Sequence, residues 1–362
     1  MKIAVARKEF TDTLKIVAKA LAVKSNTPIL SGIYLSAAAS CVEIQATDST
    51  VGIIAKIAAN VEEEGETVII GKKLCEIALK LDGDIVTIST DEHGAEIHSN
   101  SAKYNLLTYN ADDFPKIQVE EDAQTFTLRQ AQFKDLVRKT AFSVSKDDSR
   151  PIFTGVLFKI DGENLTLAAT DTHRLAVATE KISVPIDEFK FIVPAKILQD
   201  ISAMFDVGKE IKIGCANSKA TFIFDNLLVT ARLIAGVYPD FEKVFPKENE
   251  IFATIEVVEF KNALERVAII AKETEYQTVN FVFANDALKI SAFSSDIGEA
   301  EEYILAKISG GELEISFNYS YFTDVLKILD AEKITLGMKT PLAPIDLQVG
   351  NFRYVATPVR RQ

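Results

Sequence analysis

Three stretches of the chain carry apolar residues at the spacing of an amphipathic helix. Each begins with phenylalanine and continues at helical steps: Phe10, Leu14, Val17 and Leu21; then Phe133, Leu136, Val137 and Thr140; then Phe260, Leu264, Val267 and Ile270. This periodicity predicts a helix with one face buried against a core. The stretches begin 123 and 127 residues apart, which indicates that one structural plan occurs three times.

Shorter segments repeat in the same order. Pro28-Ile-Leu-Ser-Gly32 matches Pro151-Ile-Phe-Thr-Gly155, and Thr47-Asp48 matches Thr170-Asp171, with Ser295-Asp296 as a weaker third copy. A second, shorter helix is predicted once in each repeat, over 72–81, 195–205 and 319–329. A common order at a near-constant offset is far stronger evidence for repetition than any single match.

Between the helices the hydrophobic period changes from 3.6 to 2, which predicts strands. The dipeptides Asp161-Gly162, Asp225-Asn226 and Asn285-Asp286 stand between alternating segments and predict tight hairpin turns. Each repeat is therefore an α+β module of two helices and many antiparallel strands. Acidic, polar stretches near 119–125 and 246–251 predict boundaries that give repeat 1 (1–121), repeat 2 (122–247) and repeat 3 (248–362).

Composition and charge limit the classes of function. The 362 residues are 48% hydrophobic, which excludes wholesale disorder, and the net charge of −12 disfavours sequence-blind binding of nucleic acid or anionic membrane by the surface as a whole. Cys41, Cys75 and Cys215 are scattered and predict neither a disulfide framework nor a cysteine metal site. Charge at Arg7 to Glu9 interrupts any leader, and no run of about 18 apolar residues occurs, so the sequence predicts a soluble, intracellular chain.

Motifs of enzymes are absent: the chain has no GxxxxGK[ST], GxGxxG, HExxH or GxSxG. His93 and His98 could be a metal pair, but their polar strand-turn context favours a solvated hairpin. Asp171 and His173 could be part of a catalytic triad, although no nucleophile is apparent beside them. Neither a catalytic residue nor a cofactor nor a metal is predicted.

The long helices differ in charge. Residues 7–25 carry a net charge of +3 and residues 129–146 of +4, whereas 259–275 carry −1. For one helix a solvated basic face is the simpler interpretation. Two equivalent basic helices in an acidic protein favour a surface that faces a polyanion through weak, non-specific phosphate contacts.

Three segments resemble a known family. Ser149-Arg-Pro-Ile-Phe-Thr-Gly-Val-Leu157 and Ala169-Thr-Asp-Thr-His-Arg-Leu-Ala176, together with the terminal Pro358-Val359-Arg360, are similar to the bacterial β sliding clamp, the processivity subunit of the replicative DNA polymerase. The resemblance covers the whole chain. It implies a non-catalytic homodimer in which three-domain subunits pair head to tail as a ring around duplex DNA. Helices would face the DNA, and binding would not depend on the DNA sequence.

The resemblance also implies partners and their sites. A pocket for short linear peptides of the replicative polymerase, the clamp loader and repair polymerases would be formed by Phe153, Thr170, Thr172, His173, Arg174, Leu175, Pro239, Lys243, Val244, Val355, Thr357, Pro358, Val359 and Arg360. DNA-facing cations would be Lys15, Lys19, Lys24, Arg138, Lys139, Lys146 and Arg150. The dimer interface would join Tyr104, Leu106 and Leu107 to Ile269 and Ile270. The implied location is the bacterial cytoplasm, at the nucleoid during replication, with no membrane contact.

Three departures from the family pattern affect the pocket. The family usually has glycine at position 172, so threonine there would be strained if the backbone has a positive φ. The common terminal Met-Pro-Met-Arg becomes Thr357-Pro-Val-Arg360, which is a less flexible wall, and Arg361-Gln362 extend beyond the usual end. Two alternatives to the clamp stay open from the residues alone: a monomeric binding protein built of repeats, and an enzyme that uses Asp171 and His173.

Overall fold

The computed structural model describes residues 1–22, 26–118, 124–205, 208–274 and 276–359, with the side chains of 183–186 left out. Over these residues the chain forms six α-helices and twenty-four β-strands. A strand leading directly into a long helix opens each repeat, and a short helix recurs later in each.

Repeat 1 contains ten strands and two helices. The helices are α1 (Arg7–Val17) and α2 (Gly71–Ala78). The strands are β1 (Lys2–Ala6), β2 (Gly32–Ala38), β3 (Cys41–Thr47), β4 (Val51–Ala58), β5 (Asn60–Glu63), β6 (Gly65–Ile70), β7 (Ile85–Asp91), β8 (Gly94–Ser99), β9 (Ala102–Leu106) and β10 (Thr108–Tyr109).

Repeats 2 and 3 follow the same order with fewer, longer strands. Repeat 2 has β11 (Gln124–Arg129), α3 (Gln130–Thr140), β12 (Gly155–Thr170), β13 (Arg174–Pro194), α4 (Ala195–Ser202), β14 (Glu210–Ala216), β15 (Lys219–Phe224) and β16 (Leu227–Arg232). Repeat 3 has β17 (Ile251–Glu256), α5 (Val257–Ala271), β18 (Thr278–Ala284), β19 (Ala287–Ser294), β20 (Gly298–Ser309), β21 (Leu313–Asn318), α6 (Tyr319–Ile328), β22 (Lys333–Met338), β23 (Ile345–Val349) and β24 (Phe352–Ala356).

The three long helices bury the faces that the periodicity predicts, with two exceptions. Phe10, Phe133 and Phe260 are each fully buried. Leu21 lies beyond α1, after a short 3-10 turn, and is only half-buried. The buried face of α5 runs through Phe260, Leu264, Val267 and Ala271, because steps of four and three residues alternate along one helix face. Ile270 lies beside this face and is half-buried.

Two compact units divide the described chain. Unit 1 comprises Met1–Ala131 and Ala203–Leu233, and unit 2 comprises Gln132–Ser202 and Ile234–Gln362. Unit 1 contains a five-stranded sheet in the order β5-β1-β7-β8-β9 and a nine-stranded sheet in the order β10-β6-β2-β3-β4-β16-β15-β14-β11. Unit 2 contains one ten-stranded sheet in the order β12-β13-β24-β23-β22-β17-β20-β19-β18-β21. Within the described residues, neighbouring strands of these sheets pair antiparallel.

The predicted turns lie where the dipeptides place them. Asp225-Asn226 joins β15 to β16, and Asn285-Asp286 joins β18 to β19. Asp161-Gly162 lies inside β12, where the pairing with β13 shifts register and Gly162 has a φ of +57°. Leu157 and Ala168, on either side, belong to one core cluster. A straight strand would separate them by about 36 Å, so β12 folds back at this dipeptide.

Candidate functional sites

A cavity in unit 2 brings together ten of the predicted pocket residues. Its volume is about 170 Å³. The lining comes from the β12–β13 turn, the segment after Tyr238 and the end of β24, and consists of Phe153, Thr170, Thr172, His173, Arg174, Leu175, Pro239, Val244, Val355 and Thr357. Residues separated by up to 204 positions in the chain thus form one concave surface.

The β12–β13 turn is fixed by its own polar side chains. The Asp171 carboxylate accepts hydrogen bonds from the backbone amides of His173 and Arg174, at 3.0 and 2.9 Å. The Thr170 hydroxyl accepts from the Thr172 amide at 3.0 Å and donates to the Arg174 carbonyl at 2.6 Å. Within this network Thr172 has a φ of +81°. The left-handed region is unfavourable for a β-branched residue, so the edge of the pocket is built on a strained backbone.

Arg174 contributes to the lining of the cavity, but most of its side chain is buried. Only 8% of the residue is exposed. Its guanidinium donates to the carboxylates of Asp171 at 2.9 Å and Asp324 at 2.8 Å, and to the carbonyl of Phe142 at 3.1 Å. Because a buried cation is costly unless its donors are satisfied, the side chain turns inward and holds the β12–β13 turn against α6.

The ionisation of Arg174 follows from these contacts. Burial works against the charge, but the Tyr354 hydroxyl and the carboxylates of Asp324 and Asp171 outweigh it and leave the pKa of Arg174 raised. The guanidinium also lies 5.4 Å from the centre of the Tyr321 ring. Arg174 is therefore a permanently charged positioning group.

The apolar wall of the cavity is continuous with the core. Leu175 is 2% exposed and packs in a cluster with Phe241. Val244 is 45% exposed and presents a methyl surface at the opening. Thr357 closes the other side, since its amide and its hydroxyl donate to the His173 carbonyl at 2.8 and 2.9 Å. A slot with an apolar wall and a few polar groups can receive a hydrophobic side chain of a ligand.

Three described residues of the predicted pocket do not line this cavity. Lys243 is exposed and forms an ion pair with Asp240 at 2.8 Å. Pro358 and Val359 follow β24 and are half-buried, and the Val359 amide donates to the Ser316 carbonyl. Arg360 lies outside the described residues.

The predicted DNA-facing cations fall into two groups. In unit 2, Arg138 is ion-paired with Asp135 and Asp330, and Lys139 is largely buried beside Asp135 and Asn351. The other described cations are exposed: Lys15, Lys19, Lys146 and Arg150, of which Lys15 pairs with Asp12 and Arg150 lies over the Phe153 ring. Lys24 lies outside the described residues. Charge counting along α3 therefore overstates its available positive charge.

The predicted interface residues lie on two free surfaces. In unit 1, β9 is the edge strand of its sheet, with Tyr104 and Leu107 exposed and Leu106 half-buried. In unit 2, Ile269 is 64% exposed on α5, and Ile270 is half-buried.

Sequence reasoning missed a second free edge. Residues 298–305 of β20 pair with β19 on one side, and β17 pairs only with 306–309, so the other side of this half-strand has no partner within the described chain. The exposed apolar side chains there are Ile297, Tyr303 and Leu305. An alignment of the three repeats would have identified these residues, because β20 occupies the place in repeat 3 that β4 and β13 hold in repeats 1 and 2.

Comparison with known proteins decides the family. Models of the N-terminal, central and C-terminal domains of the DNA polymerase III beta subunit match residues 1–118, 127–240 and 242–359. The β sliding clamp of Halalkalibacterium halodurans is 31% identical, with 96% of this chain and 95% of the relative covered. That of Bacillus subtilis is 29% identical, with 97% and 96% covered.

The chain belongs to the β sliding clamp family.

Solved structures agree with this assignment over the full length. The crystal structure of the Bacillus subtilis DNA polymerase sliding clamp matches with a TM-score of 0.97 at 28% identity, covering 100% of both chains. A Pseudomonas aeruginosa sliding clamp bound to griselimycin matches with a TM-score of 0.96 at 25% identity, again over 100% of both. The predicted α+β class with three tandem clamp domains is confirmed.

Membership in the family settles the question of catalysis. A sliding clamp is a non-catalytic processivity factor of DNA polymerase, and the local geometry agrees, because the Asp171 carboxylate binds backbone amides and Arg174 while the His173 ring stacks on Tyr321. Across the described parts of the clamp, no group of three or more His, Cys, Asp or Glu residues could hold a metal. Likewise, no helix among the described residues is long and apolar enough to cross a membrane.

Proposed function

We propose that two copies of this clamp pair head to tail into a ring that encircles duplex DNA and tethers the replicative polymerase. The observation that carries the proposal is the pair of free strand edges, β9 in unit 1 and residues 298–305 of β20 in unit 2. An exposed sheet edge is a template for another strand, and unlike edges on one chain favour head-to-tail association.

The repeat supplies the register of this pairing. Within the chain, the last strand of repeat 2, β16, pairs with β4, and the Arg232 amide donates to the Thr50 carbonyl. The last strand of repeat 3, β24, pairs with β13 in the same way, with the Thr357 amide donating to the His173 carbonyl. In repeat 1 the matching strand is β9. If β9 pairs with β20 of the second copy in the same register, the Leu107 amide donates to the carbonyl of Ile297 in that copy. Asn105 then lies opposite Glu299.

A proline in β9 tests the dimer. In this register the Asn105 amide points towards the second copy, so Asn105→Pro removes a donor to that copy while it leaves the pairing with β8 in place. We expect a mass near 39.8 kDa by light scattering after gel filtration, against about twice that mass for the unchanged clamp. Asn105→Ala, which keeps the amide, is the matched control and should stay dimeric. A dimeric Asn105→Pro variant with intact secondary structure would contradict the register.

The unit 2 cavity is, in this proposal, the docking site for short peptides of the polymerase, the clamp loader and repair polymerases. What supports it is the apolar wall of Leu175 and Val244, next to the polar edge of His173 and the Thr357 hydroxyl. An extended peptide gains affinity by inserting apolar side chains into such a slot. The tether would act at the replicating nucleoid of a bacterial cytoplasm.

A labelled peptide ending in Leu-Phe tests the pocket by fluorescence anisotropy. Val244→Asp places a carboxylate at the apolar opening, and we expect at least about tenfold weaker binding because an anion there loses hydration without gaining a partner. Leu342→Asp is the control, since Leu342 is 67% exposed in the same unit and outside the cavity. Equal affinities for the two variants would place the peptide elsewhere.

A further inference from the structure

Unit 1 contains a larger cavity, to which the proposed function assigns no role. Its volume is about 540 Å³, and its lining includes the β3–β4 turn, residues 115–118 and the ends of β15 and β16. The lining mixes hydroxyls with apolar groups and with cations. A volume of this size suits several residues of a peptide or a drug-sized molecule.

This cavity repeats the framework of the unit 2 cavity bond for bond. The Asp48 carboxylate accepts from the amides of Thr50 and Val51 at 2.8 and 2.7 Å, as Asp171 does from His173 and Arg174. The Thr47 hydroxyl accepts from the Ser49 amide at 3.0 Å and donates to the Val51 carbonyl at 2.8 Å, as Thr170 does in its turn.

The backbone shape and the closing strand repeat too. Ser49 has a φ of +75°, close to the +81° of Thr172. The Arg232 amide donates to the Thr50 carbonyl at 2.8 Å, the same distance as from Thr357 to His173. The same framework therefore forms a concave site twice, once in each unit.

The walls differ in chemistry. Where unit 2 has Leu175, unit 1 has Gly52, and a Cβ there would lie 2.8 Å from Ile117 Cδ1 and from the Thr230 hydroxyl. Thr230 stands in place of Val355, and Arg232 in place of Thr357. The apolar slot of unit 2 is thus filled by Ile117 in unit 1, and hydroxyl and guanidinium groups form the open wall.

Two cations on this wall have no ion-pair partner among the described residues. Lys219 on β15 and Arg232 on β16 are directly opposite in the strand register, and both are exposed. Neither has a carboxylate within 4.0 Å in the described chain, unlike neighbouring Lys116, which pairs with Glu66 at 2.8 Å. Like charges directly opposite on a sheet are destabilising. An anion bound between them would remove that cost.

We propose that the unit 1 cavity is a second docking site, which takes an extended peptide with carboxylate side chains. Lys219 and Arg232 bind the carboxylates, and Ile117, Pro115 and Val51 contact the intervening apolar residues. That the ligand is a peptide rests on the proposed function of the unit 2 cavity, whose framework it shares. Arginine and lysine suit carboxylates through charge-assisted hydrogen bonds.

The test is fluorescence anisotropy with a labelled octapeptide that alternates Asp and Leu. We expect Lys219→Gln with Arg232→Gln to weaken binding at least about tenfold, since the loss of a single charge-assisted hydrogen bond already costs about that factor. The control is Lys72→Gln with Lys80→Gln, which removes the same charge from exposed positions in unit 1 outside the cavity and should bind like the unchanged clamp. A probe with Asn in place of Asp should bind as weakly as the cavity variant does.

The outcomes separate the alternatives. Removing two opposed cations should not lower thermal stability. A melting curve of the double variant that matches that of the unchanged clamp therefore excludes unfolding as the cause of lost binding. Equal binding by both double variants overturns the proposal, as does loss of binding in Val244→Asp alone, which would place the probe in unit 2. Displacement of the probe by an oligothymidylate of eight nucleotides would overturn the proposal and assign the site to nucleic acid. Displacement by inorganic phosphate at millimolar concentration would overturn it and assign the site to a simple anion. Failure of the Leu-Phe peptide to respond to Val244→Asp would overturn the unit 2 function alone.

Discussion

At the scale of single residues, the β12–β13 turn shows how hydrogen bonds hold a residue in a strained backbone conformation. Thr172 has a left-handed backbone because the Asp171 carboxylate and the Thr170 hydroxyl bind the amides on either side of it. Those hydrogen bonds, and the strand pairing beyond them, outweigh a backbone cost of about 1–3 kcal/mol. The strain is local, so it can be relieved by a local change.

Thr172→Gly should therefore raise stability, by up to about 1 kcal/mol once the greater freedom of glycine in the unfolded chain is subtracted. The measurement is the midpoint of urea unfolding. Thr340→Gly is the matched control, because Thr340 is exposed in a loop and is absent from the positive-φ residues, so the same exchange should destabilise there. A Thr172→Gly variant that loses as much as Thr340→Gly would show that the turn carries no strain.

At the scale of elements, helix α2 covers α1 and buries a thiol between them. The Cys75 thiol lies 3.8 Å from the Leu14 carbonyl of α1. Burial raises the pKa of Cys75 from 9.0 to about 11, and the charge of Glu76 adds to the effect. The folded state thus favours the neutral thiol: its contribution to stability is complete below pH 9 and is lost as the pH rises from there towards 11.

Alkylation of Cys75 measures this packing. At pH 8 the thiolate fraction should be about a hundredfold lower in the folded clamp than in the chain unfolded in guanidinium, because the pKa differs by two units. Iodoacetamide labelling followed by peptide mass spectrometry gives the two rates. Equal rates would mean that the packing of α2 against α1 does not protect Cys75 in the folded clamp.

The same scale shows what the sequence could and could not predict. Helix faces and hairpin turns were predictable because period and turn dipeptides are local, and the buried Phe10, Phe133 and Phe260 confirm the helices. The burial of Arg174 was not predictable, because its partner Asp324 lies 150 residues away. The pairing of Arg138 with Asp330, 192 residues away, was hidden for the same reason.

At the scale of the whole molecule, the threefold repeat accounts both for the strands that pair and for the strand edges that have no partner among the described residues. Each of β16 and β24 ends its repeat and pairs with a strand of the preceding repeat, whereas β9, the matching strand of repeat 1, lies at a sheet edge and has no such partner among the described residues. The predicted interface at Tyr104 and Leu106 lies on this strand, whereas its predicted counterpart on α5 adjoins the unpaired part of β20. Aligning the repeats strand by strand would have identified that edge.

Topological linkage to DNA is the prediction that belongs to this scale. After loading by a clamp loader, the clamp should remain on nicked circles in about 0.5 M salt, which screens phosphate contacts, and should leave the same DNA once it is linearised. Gel filtration of the labelled clamp measures the retained fraction. Equal loss from both substrates, with the loader active on another clamp, would contradict a closed ring.

The free edge of β20 carries three glutamates, of which Glu301 is ion-paired with Lys289 and Glu302 with Arg266, whereas Glu299 is exposed and has no ion pair within 4.0 Å among the described residues. Two such edges from separate molecules repel each other if they approach, as aligned glutamates do in any sheet. The β9 edge, with Lys103 and Asn105, has no such barrier. Glutamate therefore disfavours contact between two copies of the β20 edge, and the β9 edge of a second copy is the match that does not carry this penalty.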